Sequence, residues 1–420
     1  GGVAGGSCAR ELESAPVSVV LIDRKEYFYN NIAALRAVAN PGFERTLCIP
    51  YDKLLPAYSA FVQGDVEAIG SDHVRLHGRP DPIRFDYCVV ATGTSYAFPA
   101  KTPTPRAAEV REMFGETQAA LAGAENVVII GGGPVGVELA GEIAAVYSSS
   151  GKGDKHITLV HGGSHLISSR ADFPPALGET LRTQLEAMGV TVMVDTRVDL
   201  DDLRAQQGAA PSVRYLTGAR TLRLADGGTL PTDLVFFCYG AAINSDAYSA
   251  SLADAVNDHG ELLVNSHLQV KGHATIFALG DCAVIEHKLA FLAEEQGKTV
   301  ATNIRQMIRG EVLVDHHNGL NVMSVPLGPA QGASILPVVG VVGAFITSLV
   351  KGSSLFVNKT WRLLKYNAPP PDFALPPPPP LDDRRREQLA RVLGCSPGEV
   401  EKEISEGFVS REVPADATHI

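Results

Sequence analysis

The sequence has little that would mark a thiol, metal or nucleic-acid protein. Its six cysteines stand at 8, 48, 88, 238, 282 and 395, with no CxxC and no close pair. That spacing argues against a zinc site and against a redox-active disulfide, and it leaves structural thiols in a reducing compartment. Positive charge is scarce: 36 Lys and Arg stand against 47 Asp and Glu, a net charge of -11. Nucleic acid is therefore not expected as a partner, because that affinity rests on cations against phosphates. An uninterrupted apolar run of membrane length is also missing. Residues 322–350 carry no charge, but Pro326, Pro329, Pro337 and several glycines break them up, and a spanning helix needs about 20 apolar residues in a row. Core packing or a membrane-surface contact is expected there instead. The chain has no initiator Met, and no strand precedes its opening glycines.

What is present is a globular composition, 45% hydrophobic and 20% charged, with room in 420 residues for two or three domains. The most informative stretch is "NVVIIGGGPVGVELAGEIAAVY". A β-branched run from Val127 to Ile130 leads into Gly131-Gly132-Gly133-Pro134-Val135-Gly136, and a helical pattern follows. Strand, GxGxxG turn and helix together predict a dinucleotide site. Gly131, Gly133 and Gly136 let the backbone turn and approach a pyrophosphate at the helix N-terminus. The opening, "GGVAGGSCARELESAPVSVVLID", fits the second half of the same template. Gly2 and Gly5 take the places of the second and third motif glycines, and Gly1 fills the position between the first and second. The strand ending at Asp23 then puts a carboxylate about 20 residues on, where a ribose ligand is expected. The first glycine and its strand are missing, so the sequence reads as an N-terminal fragment. A flexible glycine-rich terminus is the alternative. A fragment of this kind should hold its first dinucleotide poorly until an apolar strand is restored ahead of Gly1.

The pattern then repeats. "HVRLHGRPDPIRFDYCVVATG" and "ARTLRLADGGTLPTDLVFFCYG" each give a hairpin followed by an apolar strand that ends in glycine. Two dinucleotide-binding units imply two dinucleotides. A third piece, "ATIFALGDCA", ends a strand at Gly280-Asp281 and precedes a helical segment around Gln296. In two-dinucleotide flavoproteins such a strand returns to the first domain, with the Asp on the flavin ribitol and the helix dipole toward the flavin. "PPPDFALPPPPP" reads as a stiff linker and the charged tail after it as a solvated surface with one or two short helices. The expected divisions are 1–105 and 241–315 for a first dinucleotide-binding domain, 106–240 for a second, 316–367 for a C-terminal segment with a core or membrane-facing uncharged stretch, and 368–420 for linker and tail.

Two glycine motifs, "VVATG" and "ALGDCA" in this order resemble the FAD- and NAD(P)-dependent pyridine nucleotide oxidoreductases. "YFYNNIAALRA", "ITLVHGG", "CYGAAINSDAYS", "VNSHLQVKGHATIFALGDCA" and "SSLFVNKTW" are similar to the ferroptosis suppressor and apoptosis-inducing-factor homologue family, and more distantly to type II NADH dehydrogenases. The similarity covers about residues 1–367. It implies an α/β fold with two Rossmann-like domains of the glutathione-reductase type, the second inserted in the first, plus a C-terminal α+β segment. It also implies FAD as cofactor, NADH or NADPH as donor and a quinone as acceptor.

By matching positions the resemblance places Gly1, Gly2, Val3, Ala4 and Gly5 at the FAD pyrophosphate. Asp23 falls at the adenosine ribose, Arg36 at FAD, Val66 at adenine through its backbone, and Asp281 at the ribitol. The "ATG" residues Ala91, Thr92 and Gly93 join this set. Glu138 falls near the nicotinamide–flavin junction, and Lys351 and Phe356 mark the quinone approach. Simpler readings compete: Arg36 as a surface cation, Glu138 as a cap or solvated residue at the helix start, Val66 as strand core, Cys8 as packing, and Glu294 and Glu295 as solvated acids. His161 stands where an NAD-specific strand often ends in Asp or Glu, and no Arg follows at once. Either nucleotide is therefore expected to serve, within about a 100-fold difference in kcat/KM. Reduction of a small iron–sulfur protein and a flavin-bound redox sensor are the rival functions. Quinone identity, compartment and oligomeric state are not legible in the residues.

Overall fold

A computed structural model describes residues 1–55, 59–148, 155–168, 173–207, 215–285, 287–317, 322–336 and 340–367, with isolated positions beyond. The proline-rich linker and the tail lie almost wholly outside the described residues.

Strand Asn126–Ile130 is central in a five-stranded sheet. On one side of it lie His156–Val160 and then Val190–Met193, all parallel. On the other lies Thr229–Phe237, parallel to it and paired antiparallel with Tyr215–Arg223. A β-branched run suits this position because a central parallel strand is covered on both faces. Val127 and Ile129 point into one core cluster and Val128 and Ile130 into another, the alternation that a pleated strand imposes. The "ADGG" turn joins the antiparallel pair, with Gly227 at φ +88°.

The first domain has the same plan around a different center. Val20–Asp23 pairs in parallel with Ala60–Gln63, and Cys88–Val90 pairs in parallel with Ile276–Ala278. The second pairing carries the chain from beyond residue 241 back into the first domain, so the domain of the five-stranded sheet is inserted in it. Among the described residues these two pairs share no strand, whereas Asn126–Ile130 bonds to a neighbor on each side in the second domain. The opening glycines form a helix, Gly2–Glu11, not a flexible terminus. This helix packs on Ala290–Arg309 so closely that a β-carbon on Gly297 would stand 2.8 Å from Cys8 N and 2.9 Å from Ala4 O.

The C-terminal part is a three-stranded antiparallel sheet, Met323–Leu327, Gln331–Leu336 and Gly340–Val342, followed by the helix Val357–Leu363. Val325, Leu327 and Ala333 are fully buried, so much of the uncharged stretch is core. It seats on the nucleotide-domain helix Pro134–Tyr147, where a β-carbon on Gly141 would come 2.5 Å from Leu327 Cα. Trp361, also fully buried, donates from Nε1 to Thr46 O at 3.0 Å and ties the end of this segment to the first domain. Phe345, 75% exposed, and Val350 leave an apolar edge outside. Among the described residues no helix is long and apolar enough to cross a membrane.

Candidate functional site

The two glycine turns are built alike. In the second, Gly131 has φ +116° and its β-carbon would strike the Cys238 carbonyl, while a β-carbon on Gly136 would strike the Gly131 carbonyl. Backbone against backbone cannot yield, so only glycine serves there. Gly133 caps the helix Pro134–Tyr147 and faces open space. In the first turn Gly2, at φ +79°, likewise faces open space, and Gly5 lies against Ala91, its β-carbon position 3.2 Å from Ala91 Cβ. Ala4 is buried and Val3 half-buried on the same helix.

The residue before each open glycine meets the end of the strand that follows its helix. A β-carbon on Gly1 would collide with Asp23 Oδ2 and Tyr51 Oη. Asp23 accepts from Tyr51 Oη at 2.8 Å and from the Lys25 N–H at 2.9 Å. At the matching place in the second domain Gly132 N–H donates to His161 Nδ1 at 3.1 Å. Asp23 and His161 thus hold equivalent stations.

The "ATG" loop turns at Gly93, φ +65°. Asn244 pins it from both ends: its N–H donates to Gly93 O at 3.0 Å and its side-chain amide to Thr92 O at 2.9 Å. Thr94 Oγ1 then donates to Asp281 Oδ2 at 2.7 Å, which aims the carboxylate beside the "ATG" loop. Gln296, buried on the helix Ala290–Arg309, accepts from the Gly280 N–H at 2.7 Å. Lys101 stands close enough to Asp281 for the two charges to interact; burial pulls its ammonium pKa below the ordinary lysine range, and Asp281 opposes that. Val66 opens the strand Val66–Ile69, paired with Leu76. Asn30 is 1% exposed, and both polar atoms of its side chain lack a partner among the described residues. Burying an amide with no partner costs roughly 1–3 kcal/mol, so an amide in that condition calls for a ligand. Two open glycines at helix starts, the Asp23 carboxylate beside one of them, an aimed Asp281 and an orphaned amide fit a dinucleotide with a flavin ring.

Four charged residues meet where the helix Pro134–Tyr147 passes the first domain and the C-terminal segment. Lys351 Nζ is 2.7 Å from Glu138 Oε1 and donates to Ser324 O at 3.1 Å. One turn on, Glu142 receives Arg36 through Nε and Nη2 at 2.9–3.1 Å. The same guanidinium donates to Gly352 O at 2.6 Å and Ser353 O at 3.3 Å. Burial pushes the Glu138 and Glu142 carboxyls above the ordinary range, and the facing cations only partly offset it. The simpler readings of two of these residues fall here. Arg36 is 7% exposed and no surface cation, and Glu138, 8% exposed, neither caps nor solvates the helix start. Phe356 sits half-buried at φ +54° just before the helix Val357–Leu363. Glu294 and Glu295 pair with Lys359 and Lys298 at the surface.

Cys8, Cys48, Cys88, Cys238 and Cys282 are all buried and free, and burial pushes the Cys8 thiol up to about 12. A packing role for Cys8 follows. Sequence reasoning missed Glu142, Tyr51, Thr94 and Asn30. Only Glu142 left a signal: two acids four apart in the otherwise apolar "VELAGEIAAVY" share one helix face.

A family profile described as pyridine nucleotide-disulphide oxidoreductase matches residues 1–306. Ferroptosis suppressor protein 1 of Xenopus tropicalis is 30% identical over 374 residues, which span 88% of this chain and 95% of the relative. Apoptosis-inducing factor homolog A of Dictyostelium discoideum is 30% identical over 84% of this chain and 88% of its own. Among solved structures, the sulfide:quinone oxidoreductase of Aquifex aeolicus superposes with a TM-score of 0.67 at 18% identity, over 88% of this chain and 91% of the other. At that identity the likeness speaks for the fold. The chain belongs to the pyridine nucleotide-disulphide oxidoreductase family and is an FAD-dependent NAD(P)H oxidoreductase.

Proposed function

We propose that the electron acceptor is a ubiquinone-like quinone, so that the protein is an NAD(P)H:quinone oxidoreductase. The observation that carries this is the 2.7 Å pair between Glu138, two residues past the nucleotide turn, and Lys351, on the C-terminal segment. The pair joins the helix that would hold the donor to the segment an apolar acceptor would approach. In this reading 1–105 and 241–315 bind FAD, 106–240 binds the nicotinamide nucleotide, and 316–367 faces the acceptor and a membrane surface. The exposed Phe345 and Val350 suit that contact.

Gly1 to Gly5, Asp23, Arg36, Val66, Ala91, Thr92, Gly93 and Asp281 would hold FAD. Gly131, Gly133 and Gly136 would hold the donor. FAD, when bound, takes a hydride from the nicotinamide and hands two electrons to the acceptor. The residues align the rings and exclude water. NAD(P)H plus one proton and a quinone give NAD(P)⁺ and a quinol, so one proton must come from outside. Lys351, with Glu138 behind it, holds a proton where the acceptor's oxygen would arrive. Phe356 lines the approach.

An anaerobic NADH titration of the flavin, followed by quinone addition, tests the reading. Flavin that NADH reduces and quinone reoxidises supports it. Reduction followed by reoxidation only by an iron–sulfur protein, or by no acceptor, would sink it. Lys351→Met should lower kcat for quinone by about 10- to 100-fold while flavin reduction by NADH keeps its rate. An equal loss in both half-reactions would remove Lys351 from the acceptor side.

A further inference from the structure

The second domain departs from the first at one station. Where Asp23 ends the second strand of the FAD side, the strand His156–Val160 is followed by His161. A backbone N–H can only donate, so the Gly132 N–H assigns His161 Nδ1 as acceptor. The other ring nitrogen then carries the hydrogen and donates to Ser168 Oγ at 2.7 Å. The imidazole is neutral in this arrangement, and burial lowers its pKa further. A carboxylate at this station accepts from ribose hydroxyls and repels a phosphate; a neutral imidazole does neither.

No Arg follows His161 in the sequence, but the fold delivers one. The loop after Val190–Met193 runs beside the loop after His156–Val160, and three backbone hydrogen bonds tie them. His161 N–H donates to Met193 O at 2.8 Å, Thr196 N–H to His161 O at 2.9 Å and Asp195 N–H to Gly163 O at 2.9 Å. Arg197 is thereby laid across Gly162. A β-carbon there would stand 3.1 Å from Arg197 Cγ, 3.2 Å from Nε and 3.3 Å from Cζ. Gly162 leaves room for the side chain, and the residue stays exposed. Two acids lie in the same loop: Asp199 accepts from the Asp201 and Asp202 N–H groups at the next helix start, and Asp195, exposed at φ +49°, sets a limit to the positive field.

We infer that Arg197, with His161 beneath it, forms a subsite for the 2′-phosphate of NADPH, a chemistry that suits the planar donor fork of arginine. This rests on the reading of Gly131, Gly133 and Gly136 as the nicotinamide-nucleotide turn, and it sharpens the expectation that either nucleotide serves into a preference for NADPH.

The test is calorimetric binding of 2′,5′-ADP and 5′-AMP to the full flavin-loaded chain, alongside Arg197→Gln and His161→Glu. The wild type should bind 2′,5′-ADP about tenfold tighter than 5′-AMP. Arg197→Gln should shrink that ratio to about threefold or less with 5′-AMP unchanged, and His161→Glu should reverse it. Equal affinities in the wild type, or a ratio that survives Arg197→Gln, overturns the subsite while leaving the dinucleotide site standing. If neither 5′-AMP nor NADH binds at all, the reading of the glycine turn fails and the subsite goes with it.

Discussion

At the scale of single residues, the three glycines of the second turn do different work, and substitutions can tell them apart. A β-carbon on Gly136 meets a backbone carbonyl that cannot move aside. Gly136→Ala should destabilise the protein by about 1–3 kcal/mol, in the manner of an overpacked core, and weaken NADPH binding with it. Gly133 has φ -75° and faces open space. Gly133→Ala should therefore leave stability within about 0.5 kcal/mol of wild type and, on the proposed reading, still weaken nucleotide binding, because the new methyl would stand where that reading puts the pyrophosphate. Thermal melts and a nucleotide titration on both variants check this. Equal stability losses in the two would contradict the geometry. These glycines were legible in the sequence because strand, turn and helix followed one another within one short stretch.

Between elements, the pair of Arg36 and Glu142 joins the short helix Ala34–Ala39, the helix Pro134–Tyr147 and the C-terminal segment across 106 positions of chain. A buried charge that loses its partner is costly, whereas an apolar pair of similar size is not. Arg36→Met should cost about 3–5 kcal/mol, and Arg36→Met with Glu142→Leu should recover most of it. Denaturant melts of both variants and of Glu142→Leu alone decide the point; a double variant as unstable as Arg36→Met would show that shape, not charge, is what Arg36 supplies. The sequence offered Arg36 as a flavin-nucleotide contact. The structure shows how that guanidinium is held in place, and any contact with FAD would use the donors Glu142 and the two carbonyls leave over.

Over the whole molecule, five cysteines are buried in separate places, none disulfide-bonded. Burial pushes the thiols of Cys8, Cys88 and Cys238 up to about 12. A raised thiol pKa keeps the reactive thiolate rare, on the order of one in 10⁴ at pH 8. Alkylation at that pH should leave Cys8, Cys88 and Cys238 unlabelled in the native protein and label them after unfolding, as read by mass spectrometry of the peptides. Rapid native labelling of Cys8 would mean that the helix Gly2–Glu11 does not stay packed on Ala290–Arg309.

Sequence alone determined what is local. A turn that needs φ above zero demands glycine, a strand covered on both faces demands apolar residues, and a carboxylate about 20 residues past the turn follows from the length of one helix and one strand. The two glycine turns and the position of Asp23 could be read from such demands, whereas the role expected of Asp281 and the inserted domain came from the family resemblance. The tertiary structure alone decided the contacts between distant segments. Lys351 meets Glu138 across 213 positions, Arg36 finds Glu142, the Asn30 amide is left without a partner among the described residues, and Arg197 reaches Gly162 from the neighboring strand's loop. Nothing near any of these residues in the chain announces its partner. Each pairing is fixed by which helices and strand ends pack together, and packing is a property of the whole fold.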